Sequence, residues 1–265
     1  MILWYSGCGN SLFVAESLAG QLGQGSETGQ SVGDTLLSVT QAARDHISLS
    51  FRTDSVLGIV FPVYAWSVPN LVLDFLRQVQ MDGRPQYVYA VCTCGDNTGC
   101  TEQVLRRTLK KRGLTLHAFF TFRMPNTYIN LPGFKLDSPS LAQSKIRESM
   151  DRFQETVSLI RNRAAGSYFA VRGTGAFWKT YILKPLFYAL LITDRKFHVN
   201  ENCSSCGLCA RMCPLQNISM QNGRPHWNGH CTNCNSCYHR CPHQAISFGR
   251  ISCDTTGQYC FKRTE

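Results

Sequence analysis

The sequence lacks any long uninterrupted apolar run. Its best candidate, residues 176–192, spans 17 residues and contains Lys179, Lys184 and Pro185, whereas a helix needs about 20 apolar residues to cross a bilayer. The first 20 residues also lack the charged segment, the apolar segment and the small-residue cleavage site of a secretory signal. We therefore predict a cytoplasmic protein without a transmembrane segment, in which thiols stay reduced.

Acidic residues are scarce, since 17 Asp and Glu are set against 27 Lys and Arg, which gives a formal charge of +10. Such an excess is typical of proteins that bind nucleic acids, anionic membranes or acidic partners. The basic residues concentrate in segment 166–197 and in the stretch 106–112, which reads as the solvated end of a helix. We therefore predict no nucleic-acid partner.

Cysteine is abundant, with 14 residues, and eight of these form two copies of the pattern C-x2-C-x2-C-x3-C-P. Three thiolates on a tight loop reach three corners of an iron–sulfur cube, while the fourth points toward a second cube. Zinc and disulfides are the alternatives, but zinc would leave the x3-C-P element without a purpose. The predicted metal ligands are Cys203, Cys206, Cys209, Cys213, Cys231, Cys234, Cys237 and Cys241.

Residues 198–250, which contain these motifs, resemble bacterial-type ferredoxins. Crossed ligation is expected, with one 4Fe-4S cluster on Cys203, Cys206, Cys209 and Cys241 and the other on Cys231, Cys234, Cys237 and Cys213. The nearby histidines are read as surface groups or as groups behind the ligands; they are His226, His230, His239 and His243. Cys253 and Cys260, in the C-terminal tail 251–265, are read as plain thiols.

The first 165 residues alternate short apolar strands with amphipathic helices, the pattern of a parallel sheet covered on both faces. We predict an α/β domain with a five-stranded, doubly wound sheet, followed by a small α+β ferredoxin-like domain. Ligands of such sheets bind at the carboxyl ends of the strands. Three unusual loops follow strands there, at residues 6–11, 62–69 and 92–99.

The first of these loops, SGCGNS, has the composition of a phosphate-binding turn at the start of a helix. A dinucleotide loop would carry a third glycine where Leu12 stands, and a triphosphate loop would carry a Gly-Lys-Ser/Thr sequence that is missing here. A monophosphate ligand remains. Ser6, Asn10 and Ser11 are expected to add side-chain donors to the backbone amides of this turn.

This loop resembles the FMN-phosphate motif of flavodoxins, with Cys8 in place of the middle threonine. The resemblance implies that Tyr64 or Trp66 stacks on the isoalloxazine ring of FMN. The implied cofactor-binding residues are Ser6, Gly7, Cys8, Gly9, Asn10, Ser11, Pro62, Val63, Tyr64, Ala65, Trp66, Cys94, Gly95, Asp96, Asn97, Thr98 and Gly99. The order of the two domains resembles the bacterial and archaeal family of flavodoxin–ferredoxin fusion proteins.

The connecting segment 166–197 is rich in aromatic and basic residues. Two interpretations stay open, packing between the domains and a peripheral membrane contact through residues 176–192. The function expected is electron transfer between two 4Fe-4S clusters and FMN, and on to a redox protein or a small-molecule acceptor. The alternative is a flavin-dependent reductase of a small molecule, with a pocket lined by Tyr64, Trp66 and residues 122–129.

Overall fold

The computed structural model describes residues 1–23, 36–131 and 133–261. Its central feature is a six-stranded, entirely parallel sheet. The strands of this sheet are β1 (Ile2–Trp4), β2 (Leu36–Ser38), β4 (Val56–Pro62), β6 (Tyr87–Cys94), β7 (Ala118–Arg123) and β8 (Gly166–Tyr168), while β3 (Leu49–Ser50) and β5 (Met81–Asp82) pair beside it.

The strand order is β2-β1-β4-β6-β7-β8. Without its last member this is the doubly wound 2-1-3-4-5 order of flavodoxin-like sheets, so the predicted fold class is confirmed. The structure adds a sixth, short strand, because Gly166–Tyr168 pairs in parallel with the edge strand β7. The first residues of segment 166–197 therefore belong to the sheet and not to a connection.

Helices cover both faces of the sheet and bury two apolar cores against it. All eight residues of β6 are buried because the strand has helices above and below. The helices of this domain are α1 (Asn10–Gly23), α2 (Val39–Arg44), α3 (Asn70–Gln78), α4 (Thr101–Lys110), α5 (Pro139–Asp151) and α6 (Phe153–Arg161). The Ser138 side chain caps α5 by accepting from the Leu141 amide at 3.3 Å.

The C-terminal region is a small α+β unit with its own core. Its elements are β9 (Phe197–Val199), α9 (Leu208–Arg211), β10 (Ile218–Gln221), β11 (Arg224–Trp227), α10 (Ser236–His239), β12 (Ile246–Phe248) and α11 (Cys253–Thr256). Strands β9 and β12 pair antiparallel, as do β10 and β11. Residues 262–265 of the predicted tail lie outside the described residues.

The two cysteine motifs have matching backbones. Ser205 and Asn233, each two residues after the first cysteine, have φ of 58° and 52°. Gly207 and Asn235 repeat the left-handed conformation two residues later, at 68° and 59°. The left-handed backbone conformation recurs at corresponding positions because the two loops make the same sharp turns. The duplication in the sequence is therefore a duplication of conformation.

The chain between the two regions forms a helix made of α7 (Ala176–Trp178), a π-helical turn (Lys179–Leu183) and α8 (Lys184–Leu190). Pro185 lacks an amide hydrogen and interrupts the helical hydrogen-bond ladder just after the wide turn. Within the described ranges, no helix is long and apolar enough to cross a membrane.

Candidate functional site

A cleft that is open to solvent at its mouth lies at the carboxyl ends of β1, β4 and β6. This is the edge where doubly wound sheets bind their ligands. The three loops singled out in the sequence meet here, and the structure brings most of the predicted FMN contacts to one wall. Those that line the cleft are Ser6, Gly7, Cys8, Asn10, Ser11, Pro62, Val63, Tyr64, Ala65, Trp66, Cys94, Gly95, Asp96 and Asn97.

The three other predicted contacts, Gly9, Thr98 and Gly99, do not line the cleft. A side chain on Gly9 would meet Phe261, and one on Gly99 would meet the backbone of Trp66. Thr98 is buried, and its amide donates to the Val171 carbonyl at 2.8 Å. These residues lie behind the loops that line the cleft, and their predicted contacts with FMN stay predictions.

Hydrogen bonds from its own side chains fix the conformation of the loop 6–11. Ser6 Oγ accepts from the Gly9 amide at 3.1 Å, and Asn10 Nδ2 donates to the Pro125 carbonyl at 2.9 Å. Ser11 Oγ shares a buried 2.7 Å hydrogen bond with Thr93 Oγ1. Since these three side chains hold the scaffold, the backbone amides at the start of α1 are the groups suited to an anion.

The second loop makes a strained turn. Tyr64 and Ser67 exchange backbone hydrogen bonds of 3.0 and 3.1 Å, and Ala65 and Trp66 between them have φ of 45° and 56°. Two successive residues with positive φ are typical of a type I′ turn and unfavourable for side chains other than glycine. The turn presents Trp66 at the cleft with its ring 6.5 Å from that of Phe187.

A buried lysine supports the third loop. Lys145 Nζ donates to Asp137 Oδ2 at 2.7 Å and lies 3.5 Å from Asp96 Oδ1. Asp137 Oδ2 also accepts from the Asn126 amide at 3.0 Å. One ammonium group therefore ties the loop at Asp96 to the segment 124–128, which forms the adjacent part of the wall.

Thirteen lining residues are outside the predicted set of FMN contacts. The sequence predicts a role for segment 124–128 only in the reductase alternative, and predicts for the connecting segment either packing between the domains or a membrane contact. Thr93 lies in the predicted loop 92–99 and Cys234 in the second cysteine motif, but no sequence pattern places the other residues at the cleft, because they reach it through tertiary packing. They are Thr93, Met124, Pro125, Asn126, Thr127, Tyr128, Phe134, Phe187, Tyr188, Ile192, Thr232, Asn233 and Cys234.

One wall of the cleft belongs to the second cysteine motif. Cys8 Sγ donates to the Cys234 carbonyl at 3.4 Å. An added Cβ on Gly7 would lie 3.1 Å from Cys234 Cβ and 2.7 Å from Tyr64 Oη. The first loop of the sheet domain is therefore in direct contact with a predicted cluster ligand, and a side chain at position 7 would require Tyr64 or Cys234 to move.

The cleft has buried polar atoms without partners among the described residues. Asn97 Oδ1, Tyr128 Oη and both amide atoms of Asn233 are in this state, and all three residues line the cleft. Buried polar atoms are normally hydrogen-bonded. Tyr128 Oη and Asn233 Nδ2 can donate, whereas Asn97 Oδ1 and Asn233 Oδ1 accept. The set therefore suits a polar ligand with both acceptors and donors, and a flavin ring, which has carbonyl and ring-nitrogen acceptors and a ring N–H donor, is such a ligand.

The eight motif cysteines fall into two groups in space. Cys203, Cys206, Cys209 and Cys241 line one small cavity. In the second group, burial raises the pKa of the Cys237 thiol, and the neighbouring Cys234, Cys231 and Cys213 raise it further. The fourth cysteine of each motif thus lies with the first three of the other motif.

Backbone amides point at several of these sulfurs. Cys213 Sγ accepts from the Asn217 amide at 3.3 Å, and Cys241 Sγ accepts from the Ala245 amide at the same distance. Burial raises the pKa of the Cys231 thiol to about 12. The Cys231 thiol is therefore a poor thiolate unless a cation binds it, and amide donors such as those at Cys213 and Cys241 stabilise sulfur once it carries negative charge.

The cysteine groups do not converge on a single point. Among residues 1–23, 36–131 and 133–261, no three His, Cys, Asp or Glu side chains could hold one metal ion.

The C-terminal tail is tied to both regions. The Phe261 amide donates to the Cys8 carbonyl at 2.8 Å, and the Phe261 ring stacks on Phe13 at 4.3 Å.

His239, which the sequence predicts as a surface group or a group behind the ligands, is buried. Its Nε2 lies 2.8 Å from the Thr127 carbonyl, and its Nδ1 accepts from the Tyr259 amide at 3.2 Å. Burial lowers the pKa of His239 to about 4, which keeps the ring neutral as these bonds require.

Replacing Cys8 with threonine is expected to leave FMN affinity unchanged within about threefold, because a hydroxyl keeps a donor near the Cys234 carbonyl and the loop amides are unaltered. Fluorescence titration of the flavin-free protein measures the affinity. Cys8→Val, similar in shape but without the donor, is the matched comparison. Loss of flavin binding in Cys8→Thr would show that the sulfur itself holds the ligand.

Comparisons with known proteins identify one of the two regions. The family model described as "4Fe-4S dicluster domain" matches residues 202–246. The C-terminal region is therefore a 4Fe-4S cluster-binding domain of the ferredoxin type, a class of domain that transfers electrons.

The other comparisons add little. A search of curated proteins found no match. Among solved structures the chain is similar to the Trp repressor binding protein from Bacillus subtilis, with 11% identity, 58% of this chain and 96% of that chain covered, and a TM-score of 0.34. A likeness of this size carries no argument, and the fold assignment depends on the strand order.

Proposed function

We propose that this protein is an electron-transfer iron–sulfur flavoprotein that carries two 4Fe-4S clusters and one FMN. The observation that carries the proposal is the shared wall: Cys234 of the second cysteine motif lines the same cleft as the loops 6–11 and 62–66. FMN exchanges two electrons with a partner while clusters pass electrons singly. The chain would thus join a two-electron and a one-electron centre.

The residues have distinct roles in this proposal. The amides at the start of α1 would hold the phosphate, and Tyr64 or Trp66 would pack on the ring. Thr232, Asn233 and Cys234 would separate the ring from the nearer cluster without intervening solvent. The crossed ligation is supported by the four thiols that share one cavity.

Anaerobic reconstitution with iron, sulfide and FMN tests the proposal. We expect about eight irons per chain, four for each cube, together with one tightly held FMN. Zinc retained in place of iron, or no flavin uptake by the full chain, would exclude this function.

A flavin-dependent reductase is the second candidate. The aromatic residues at the mouth favour it, since Tyr128 packs edge-to-face with Phe134 at 5.3 Å and lies 5.9 Å from Phe187. Such a surface suits a planar apolar substrate. Turnover of added small molecules would favour the reductase, whereas exchange with ferredoxin-type partners alone would favour the carrier.

Tyr5 is a candidate for adjusting the reduction potential of the cluster that Cys234 is predicted to bind. Its hydroxyl is buried without a hydrogen-bond partner among the described residues. Burial raises the pKa of the Cys234 thiol to about 11, whereas the Ser236 amide and, to a smaller extent, the nearby Tyr5 hydroxyl lower it. A group that stabilises negative charge on sulfur favours the reduced cluster, so this hydroxyl would raise the reduction potential.

Tyr5→Phe is therefore expected to lower the potential of one cluster and leave the other unchanged. A tenfold change in the reduced-to-oxidised ratio corresponds to 59 mV for one electron, and we expect a shift of up to about that size. Redox titration followed by electron paramagnetic resonance measures it. Tyr89→Phe is the control, because the Tyr89 hydroxyl is also buried without a partner and packs in the sheet core. Equal shifts in both variants would contradict the role of Tyr5.

A further inference from the structure

The connecting helix presents an apolar face to solvent. Six of its large apolar side chains are between 44% and 75% exposed, a high concentration for one short segment. Trp178, Ile182, Leu186 and Leu190 recur every four residues and therefore share one side of the helix. The full set is Phe177, Trp178, Ile182, Leu183, Leu186 and Leu190.

The opposite side of the helix is fixed to the protein. Thr180 Oγ1 donates to the Trp66 carbonyl at 2.8 Å and accepts from the Cys100 amide at 2.8 Å. Phe187 packs against Trp66 and Tyr128. The exposed face is thus a ridge held in place by buried contacts on the other side.

The surroundings of this ridge are basic. The helix and the residues just after it, 176–193, contain Lys179 and Lys184 and no Asp or Glu. Arg107, on the neighbouring helix α4, donates to Tyr181 Oη at 3.0 Å, and its guanidinium lies 5.3 Å from the centre of that ring. The exposed Arg195 and Lys196 follow the helix.

The nearest acidic side chains are already engaged. Asp194, the first acidic residue after the helix, is buried and accepts from Asn217 Nδ2 at 2.9 Å and from the Gly229 amide at 2.7 Å. Asp74 pairs with Arg77 at 2.8 Å. Asp194 and Asp74 therefore have basic or amide partners of their own, and the exposed Arg195 and Lys196 lie at the end of the ridge.

We propose that the apolar face of helix 176–190 binds the surface of an anionic lipid bilayer. A convex apolar ridge with tryptophan, phenylalanine and leucine side chains and a border of Lys and Arg matches a bilayer interface, which accepts apolar groups below its headgroups and cations at its phosphates. A rigid protein partner would instead need a groove of matching shape. The helix lies in the interface plane and does not cross it. This proposal does not depend on the flavin or on the clusters.

Co-sedimentation of the full-length holoprotein with vesicles tests the proposal. We expect binding to vesicles with one-third phosphatidylglycerol, at least tenfold weaker binding to pure phosphatidylcholine, and weaker binding at high salt because ions screen the attraction. Ile182→Gln/Leu186→Gln should reduce binding to the anionic vesicles at least tenfold. Leu141→Gln is the matched control, since Leu141 is 45% exposed on a different helix, and should bind as the unmodified protein does.

Vesicle binding and the oligomeric state together show whether the ridge contacts a lipid surface or a second copy of the chain. Absence of binding to the anionic vesicles, or equal binding by the double variant, would overturn the proposal. Light scattering without lipid gives the oligomeric state. A dimer that Ile182→Gln/Leu186→Gln dissociates, together with no vesicle binding, would assign the ridge to a second copy of the chain and also overturn it. Iron and flavin contents should be unchanged in all variants, which excludes misfolding as the cause.

Discussion

Replacing Cys241 with alanine is expected to remove the cluster whose other three ligands are in the first motif. Cys241 belongs to the second motif in sequence but lines the cavity of Cys203, Cys206 and Cys209. Iron content should fall from about eight to about four atoms per chain, since each cube holds four. The folding free energy should fall as well, because binding of the metal contributes to the stability of such a small unit.

Double variants separate crossed from uncrossed ligation. With crossed ligation, Cys209→Ala/Cys241→Ala affects one cluster twice and keeps about four irons, while Cys209→Ala/Cys213→Ala affects both clusters and keeps none. Uncrossed ligation predicts no iron in Cys209→Ala/Cys241→Ala and about four irons in Cys209→Ala/Cys213→Ala. Cys253→Ala, which removes a buried thiol outside the motifs, should keep about eight irons and serves as the control.

Placing a methyl group at position 7 is expected to weaken FMN binding by about 10- to 100-fold. The added Cβ of Gly7→Ala would lie 2.7 Å from Tyr64 Oη and 3.0 Å from the Cys234 carbonyl, so one of these groups must move. Overpacking of this kind costs about 1–3 kcal/mol, and each 1.4 kcal/mol corresponds to a factor of ten in affinity. Calorimetric titration of the flavin-free protein measures the loss.

Gly20→Ala is the matched control for this prediction. Gly20 lies within helix α1, and a Cβ there would meet no atom within 4 Å. Alanine is also the better helix former, so this variant should bind FMN normally and unfold at a slightly higher temperature. Normal FMN affinity in Gly7→Ala would mean that the flavin does not use the surface between Tyr64 and Cys234.

The sequence predicts the parts of this molecule that local patterns define. The strand–helix alternation predicts the doubly wound sheet, and the cysteine spacing predicts the 4Fe-4S domain that the family comparison supports. Both patterns repeat over few residues, so they are visible without tertiary contacts. The short strand Gly166–Tyr168 has no such pattern and forms because the edge of β7 is free to pair.

The contacts between the regions are not visible in the sequence. Cys8 and Cys260 are 252 positions apart, yet the Cys260 thiol donates to the Cys8 carbonyl at 3.1 Å. The sequence predicts phosphate-binding roles for the Asn10 and Ser11 side chains, but these contact Pro125 and Thr93. Which partner a polar side chain takes depends on packing over long distances, and spacing along the chain carries no information about it.

Electron transfer from the flavin to the clusters within one chain is the property that the proposed function requires. In the reconstituted protein, the flavin would be photoreduced in a laser flash and the bleaching of cluster absorbance followed. Since the Thr232–Cys234 wall joins the two sites, we expect a first-order transfer whose rate is independent of protein concentration and falls in Gly7→Ala. A rate proportional to protein concentration, or no bleaching of the clusters, would contradict the account.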